Sequence, residues 1–408
     1  MSRTRRDRWH CFHLYKLFLF VFIFIQFSSC DRRIINGNEV TADKSYMVYL
    51  AKSNTSTRGD SWICGGVIIS DWFVLTSAAC VEDVKYMVVV WGYRNYVKSS
   101  DLDKHECTRN CKRIVTTLVP EDYQLSYNKV EQWAKLDIAI VEVEIPFDYS
   151  SSVCMYKPEK IKINFDVKYE ADGIDVTMLG WGHSKKWTEA DAKKDYNQKT
   201  LHYAATKIFN KEKCKKYFTQ PDLSNLIDTY MICTYNKYKW NDHYNKSQRK
   251  RYSNSSVTLE SFIYVNENIT NNKTFFSESI DNDEHSLSIF NVTRRHGICQ
   301  NDHGGPLVTK INGVDFVIGV ASVFRVNSRS ECVPPFLFTS TARNKMFIEC
   351  ILGEEDTGRR RNSICDKPAK ERGFNILRTN VYWPDRTHSV TENNVIYRRP
   401  QIPMNKYG

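Results

Sequence analysis

Residues 299–308 read CQNDHGGPLV: an acid, a histidine, two glycines and a proline in direct succession. Gly-Gly-Pro holds the backbone in a tight, special conformation, and the side chain at the crown of that turn is His303. An imidazole acts as a base or a nucleophile when a carboxylate orients it and a hydroxyl or thiol stands beside it. Asp137, which opens the run DIAI, is a candidate carboxylate. No serine or cysteine stands beside His303 to be activated, and Ser77 lies on another segment. A metal would want three or four ligands; His303 and Asp137 are two, and no third stands at a recognisable spacing. Neither a new hydrolytic centre, a metal nor a cofactor is expected.

The elements around these residues are short. Between residue 34 and about 233, runs such as YMVYLA, VIISDWFVLTS, YMVVVWGY and DVTMLGWG are rich in β-branched and aromatic residues and separated by turn residues. That spacing predicts an all-β protein, a sandwich or barrels. With 408 residues and 41% hydrophobic composition, the chain can fill a sizeable core. ARNKMFIECIL (342–352) reads as a short C-terminal helix with Met346, Phe347, Cys350 and Ile351 on one face.

Two regions depart from the β pattern. Residues 234–298 include ten Asn and nine Ser among 65 residues and five sequons. They are expected to form a glycosylated, mobile surface insertion that buries little. Residues 353–408 form a basic, polar extension with no legible function.

The N-terminus begins with a basic segment, followed by the apolar run LFLFVFIFI at 17–25. That is the pattern of a secretory signal peptide, here 1–29, and it is shorter than the roughly 20 residues a membrane helix needs. A short propeptide remnant, 30–33, would follow. Of the net charge of +11, residues 1–33 carry +5, which leaves a mild and scattered excess that argues against nucleic acid as a partner. Thirteen cysteines, with Cys11 in the signal, leave twelve for an oxidising compartment. Sequons at Asn54, Asn245, Asn254, Asn268, Asn272 and Asn291 agree with a secreted glycoprotein.

Four motifs in a fixed order tie these observations together: RIINGNEV (33–40), CGGVIISDWFVLTSAAC (64–80), DIAIVEVEIPF (137–147) and CQNDHGGPLV, with LGWG (179–182) and MICT (231–234) between the last two. The set resembles the chymotrypsin/trypsin-like serine proteases, peptidase family S1, across roughly residues 30–352. The resemblance implies two six-stranded antiparallel β-barrels, about 34–155 and 156–352, with the active site in the cleft between them. It also implies where a catalytic serine, histidine and aspartate should stand. The histidine position is Ala79 and the serine position is His303; only Asp137 matches. The glycine that gives an oxyanion-hole N–H is Asn301, where a Cβ is expected to disturb the turn. The pocket base is Gly297, with no charge to select Lys or Arg. The pocket wall is Ser322-Val323-Phe324, in which Phe324 is expected to obstruct the mouth.

Other family features persist. Asp302 matches the aspartate that pairs with a new amine after activation cleavage, which here would release Ile34 after Arg33. A retained pair implies a surface switched by proteolysis; the alternative is that Asp302 persists as scaffold. By resemblance the bridges are Cys64–Cys80, Cys214–Cys233 and Cys299–Cys332. Cys107–Cys111 and Cys350–Cys365 are inferred from proximity. Cys30–Cys154 would tether the propeptide, unless signal cleavage after Cys30 leaves Cys154 free.

The function expected is that of a secreted, catalytically inactive homologue that binds a protein, another protease or its substrate, as cofactor, decoy or scaffold. The alternatives are an active serine endopeptidase with a non-standard site and a structural extracellular glycoprotein.

Overall fold

The computed structural model describes residues 37–383, apart from short gaps and the stretches 53–60, 242–256, 262–274, 277–290 and 356–364. The signal segment, Cys30, Arg33, Ile34 and the sequons at Asn54, Asn245, Asn254, Asn268 and Asn272 therefore lie outside the described residues.

The first barrel follows β1 (Asn38–Glu39) and is built from β2 (Met47–Lys52), β3 (Ile63–Ile68), β4 (Phe73–Thr76), β5 (Met87–Val90), β6 (Lys112–Pro120) and β7 (Ala139–Val143). The strand order β5-β2-β3-β4-β7-β6 closes through the pairing of β6 with β5. These strands are continuous apolar runs because both of their faces are covered. Alternate residues enter two different clusters: Val48, Leu50, Val74, Val89 and Val141 in one, Tyr49, Ala51, Leu75, Val88, Val90 and Ile140 in the other. The two-residue repeat of a strand sends neighbours to opposite faces.

The second half adds β8 (Lys162–Ile163), β9 (Asp175–Gly180), β10 (His202–Lys207), β11 (Met231–Thr234), β12 (Lys237–Asn241), β13 (Val257–Ser261), β14 (Phe275–Phe276), β15 (Asn291–Arg295), β16 (Pro306–Ile311), β17 (Val314–Asn327) and β18 (Cys332–Ser340). Its barrel runs β10-β9-β16-β17-β18-β11, and an antiparallel bridge from Ile208 to Thr234 joins its ends. The architecture is thus all-β with two barrels of six strands each. A helix, Lys345–Glu355, follows and buries Phe347, Ile348, Cys350 and Ile351, whereas Met346 is only half-buried.

Three findings correct the sequence reading. The 234–298 insertion is not simply a loop: β12 pairs with β15, and β13 pairs with both β14 and β17. The C-terminal extension returns to the first barrel, where β19 (Ile376–Asn380) pairs with β6. Val381 and Trp383 are buried beyond it, and Trp383 Nε1 donates to Ile114 O at 2.9 Å. Composition averaged over the tail hides this short apolar anchor. The third correction concerns the cysteines. Cys107 pairs with Cys154, not with Cys111, so the proposed Cys30–Cys154 tether does not form either. Cys107 sits on the turn Glu106–Arg109, which packs against Trp91 and Gly92, and Gly92 in turn lies against Cys154. Cys111 carries the one free thiol among the described residues. The structure contains Cys64–Cys80, Cys214–Cys233, Cys299–Cys332 and Cys350–Cys365.

Candidate functional site

Asp137 follows a single 3₁₀ turn, Ala134–Leu136, and precedes β7, which places its carboxylate at the end of the first barrel's sheet. It is fully buried. A buried carboxylate has to be hydrogen-bonded, and this one is met on both oxygens. Ala79 N donates to Oδ1 at 2.9 Å. Ser322 Oγ donates to Oδ2 at 2.6 Å, and His303 Nε2 lies 3.1 Å from the same oxygen. In the tautomer that hydrogen-bonds an ionised carboxylate, Nε2 carries the hydrogen of this contact.

Each partner is positioned by its backbone. Ala79 lies in the short helix Ala78–Glu82 directly after β4, with the Cys64–Cys80 bridge beside it. Ser322 is in the middle of β17. His303 is held by its main chain: its carbonyl accepts from Gly65 N at 2.7 Å. Gly304 has φ 75°, and a Cβ there would fall 2.2 Å from Thr76 Oγ1 and 2.6 Å from Gly65 O. Only glycine lets this turn press so closely against the first barrel while adopting a left-handed backbone. His303 is 1% exposed, so its ring fills the space between the barrels.

The structure therefore brings together Ala79, Asp137, His303 and Ser322. The imidazole is hydrogen-bonded to the carboxylate, as a general base would be, and it is carried by the turn Asn-Asp-His-Gly-Gly. Ala79 contributes a methyl group that can neither accept nor donate a proton. Ser77 is fully buried, with its hydroxyl directed at Cys80 Sγ, 3.4 Å away.

Two expectations about the surroundings need revision. Asn301 adopts φ 69°, the left-handed region that glycine favours, and asparagine is among the few other residues that tolerate it. Its Nδ2 donates to Asn197 Oδ1 at 2.8 Å and to Ser61 O at 3.1 Å, so the Cβ does not disturb the turn but anchors it. Phe324 does not stand at the pocket mouth; it is fully buried in the core with Val323. The aromatic ring beside Gly297 is Phe336: a Cβ on Gly297 would sit 1.8 Å from that ring, so the ring packs directly on the glycine. Nothing in the local sequence marked Phe336, because its partner lies 39 positions away in the chain.

Asp302 faces away from His303 and is 1% exposed. Its Oδ1 accepts from Gly182 N at 2.8 Å and its Oδ2 from Cys299 N at 3.0 Å. Burial pushes its pKa up to about 7, against the pull of these two N–H groups. Among the described residues, no group of three His, Cys, Asp or Glu side chains is placed to hold a metal ion. No helix there is long and apolar enough to cross a membrane.

Comparison with known proteins agrees with the two-barrel fold. The family model described as Trypsin matches residues 34–248, a stretch that includes Ala79 and Asp137 and ends before His303. A chymotrypsin of Phaedon cochleariae is 27% identical over 150 residues, covering 36% of this chain and 48% of that protein. CLIP domain-containing serine protease B14 of Anopheles gambiae is 25% identical over 213 residues, covering 46% of this chain and 52% of that one. Phenoloxidase-activating factor 3 of Holotrichia diomphalia is 24% identical over 217 residues, covering 50% and 55%. The chain spans about half the length of these relatives.

Proposed function

The chain belongs to the trypsin family of serine proteases, and we propose that it has lost the family's peptidase chemistry and works by binding another protein. The observation that carries this reading is the occupancy of Asp137: its oxygens are taken by Ala79 N, Ser322 Oγ and His303 Nε2. Acyl transfer in this family needs a hydroxyl that an imidazole can deprotonate. Here the imidazole itself occupies the hydroxyl's position, and Ser77 and Ser322 are sealed in the interior. Phe336 against Gly297 supports the same reading, since a substrate side chain finds its pocket filled.

The binding role is that of a secreted cofactor, decoy or scaffold beside a protease or its substrate. The signal-like N-terminus, five disulfides and six sequons support an extracellular setting. Cleavage after Arg33 is the switch: the amine of Ile34 would pair with Asp302 and reorganise the segment 297–303. A buried carboxylate without a cation beside it among the described residues is costly to ionise, and the raised pKa of Asp302 fits a site that awaits one.

Incubation of the chain, intact and cleaved after Arg33, with a broad library of fluorogenic peptides tests the reading. The expected result is no turnover above that of an Asp137→Asn control. Turnover that disappears with Asp137→Asn would refute it.

A further inference from the structure

β17 is fourteen residues long, and its two halves have different neighbours. Val314–Val320 pairs with β16, whereas Val323–Asn327 pairs with β13 from the insertion. β18 runs along the opposite edge from Gly319 to Val326. β13 therefore continues the edge on which β16 has stopped. Without it, the second half of β17 would present a row of bare N–H and C=O groups.

This edge lies beside the triad positions. Ser322, which donates to Asp137, immediately precedes Val323. β13 runs antiparallel to β17 with Glu260 opposite Phe324 and Ser261 opposite Val323, so its C-terminal end approaches the Asp137–His303 pair. β14 pairs with the outer side of β13, Val257 opposite Phe276, so the two strands extend the sheet beyond this edge of β17. Val323, Phe324 and Val326 are at most 2% exposed, and Arg325 and Asn327 are also buried.

We propose that Val257–Ser261 is a built-in ligand of this edge: the chain's own insertion occupies, in cis, a surface that would otherwise receive an extended peptide. Recognition is by main-chain hydrogen bonding, the mode in which a peptide adds a strand to an open sheet. The inference goes beyond the loss of catalysis, which rests on Asp137 and His303 and stands if this one fails.

Two variants test it. In the first, residues 242–290 are replaced by Asn-Gly, a two-residue turn suited to joining β12 and β15 where Asn241 faces Asn291. In the second, the full chain carries Leu259→Pro with Glu260→Pro; because successive N–H groups point to opposite sides of a strand, this pair removes one directed at β17. Hydrogen exchange is followed over residues 322–328. Amides of β17 that point away from β18 should exchange on the order of a hundred-fold faster in both variants. A labelled synthetic peptide of sequence SSVTLESFI (255–263) should bind the excised variant saturably, restore its protection, and fail to bind the intact chain. Unchanged exchange in both variants would overturn the proposal. So would an excised variant that does not bind the peptide, or equal binding to both chains.

Discussion

Asp302 gives the uncleaved fold a pH dependence opposite in sign to that of an ion-paired carboxylate. Burial raises its pKa from 3.8 to about 7, whereas in the unfolded chain it titrates near 3.9. Between those values the folded protein holds a proton that the unfolded chain has released. The contribution of Asp302 to stability is therefore fully present below about pH 4, falls as pH rises, and is gone above about pH 7. About three pKa units at 1.36 kcal/mol each make the total change about 4 kcal/mol. The assay is urea unfolding of the uncleaved chain, disulfides intact, at intervals from pH 4 to pH 8, beside an Asp302→Asn control. The control matters because Glu170 is also raised by burial and adds a slope of its own; the difference between the two curves isolates Asp302. That difference should move against the wild type by about 4 kcal/mol across the range. After cleavage following Arg33, an amine seated beside the carboxylate would lower its pKa and reverse the slope, so that stability is lost as pH falls. A flat difference curve for the uncleaved chain, or one that rises with pH, would refute the burial argument.

Three further outcomes follow from the site and its neighbours. Restoring two triad residues with Ala79→His and His303→Ser should give no measurable hydrolysis of fluorogenic peptides, since Phe336 still fills the space at Gly297 and β13 still lies along β17; turnover would show that only the side chains were missing. His303→Ala should destabilise the fold by about 1–3 kcal/mol in urea unfolding, the usual effect of removing a hydrogen-bond partner from a buried polar group, and no measurable loss would contradict the role given to the Asp137–His303 contact. Partial burial pushes the Cys111 thiol up to about 11, so its alkylation in the native protein should be slow at pH 7.5 and accelerate about tenfold per pH unit, which mass spectrometry of time points would check; a rate that levels off by about pH 9 would argue against a raised pKa.

Much of the site was legible in the chain because it is carried by contiguous motifs. DIAI, LTSAAC and NDHGGP each place one residue at a fixed point of a turn or strand end, and the structure brings those three residues, Asp137, Ala79 and His303, together. The glycines of 304–305 were legible for the same reason: a close approach between backbones leaves no room for a Cβ. What escaped were pairings across long distances in the chain. Cys107 and Cys111 are neighbours in sequence, yet the partner of Cys107 is 47 positions away. Phe336 on Gly297 and Ser322 on Asp137 join different strands, and no local pattern announces either contact. The VTLES segment of β13 was submerged in an Asn- and Ser-rich insertion, and Trp383 in a polar tail. Averaged composition describes such regions as solvated, although five residues are enough to add a strand.

The most direct test of the central claim uses a fluorophosphonate, which forms a covalent adduct with an activated serine. The purified chain, cleaved after Arg33, is incubated with an excess of the probe, and its intact mass is read before and after, with a heat-denatured sample as control. No added mass is the result expected of a chain whose imidazole stands in the nucleophile's own place. A stoichiometric adduct on Ser77, Ser322 or any other serine, formed by the native protein and abolished by denaturation, would contradict it.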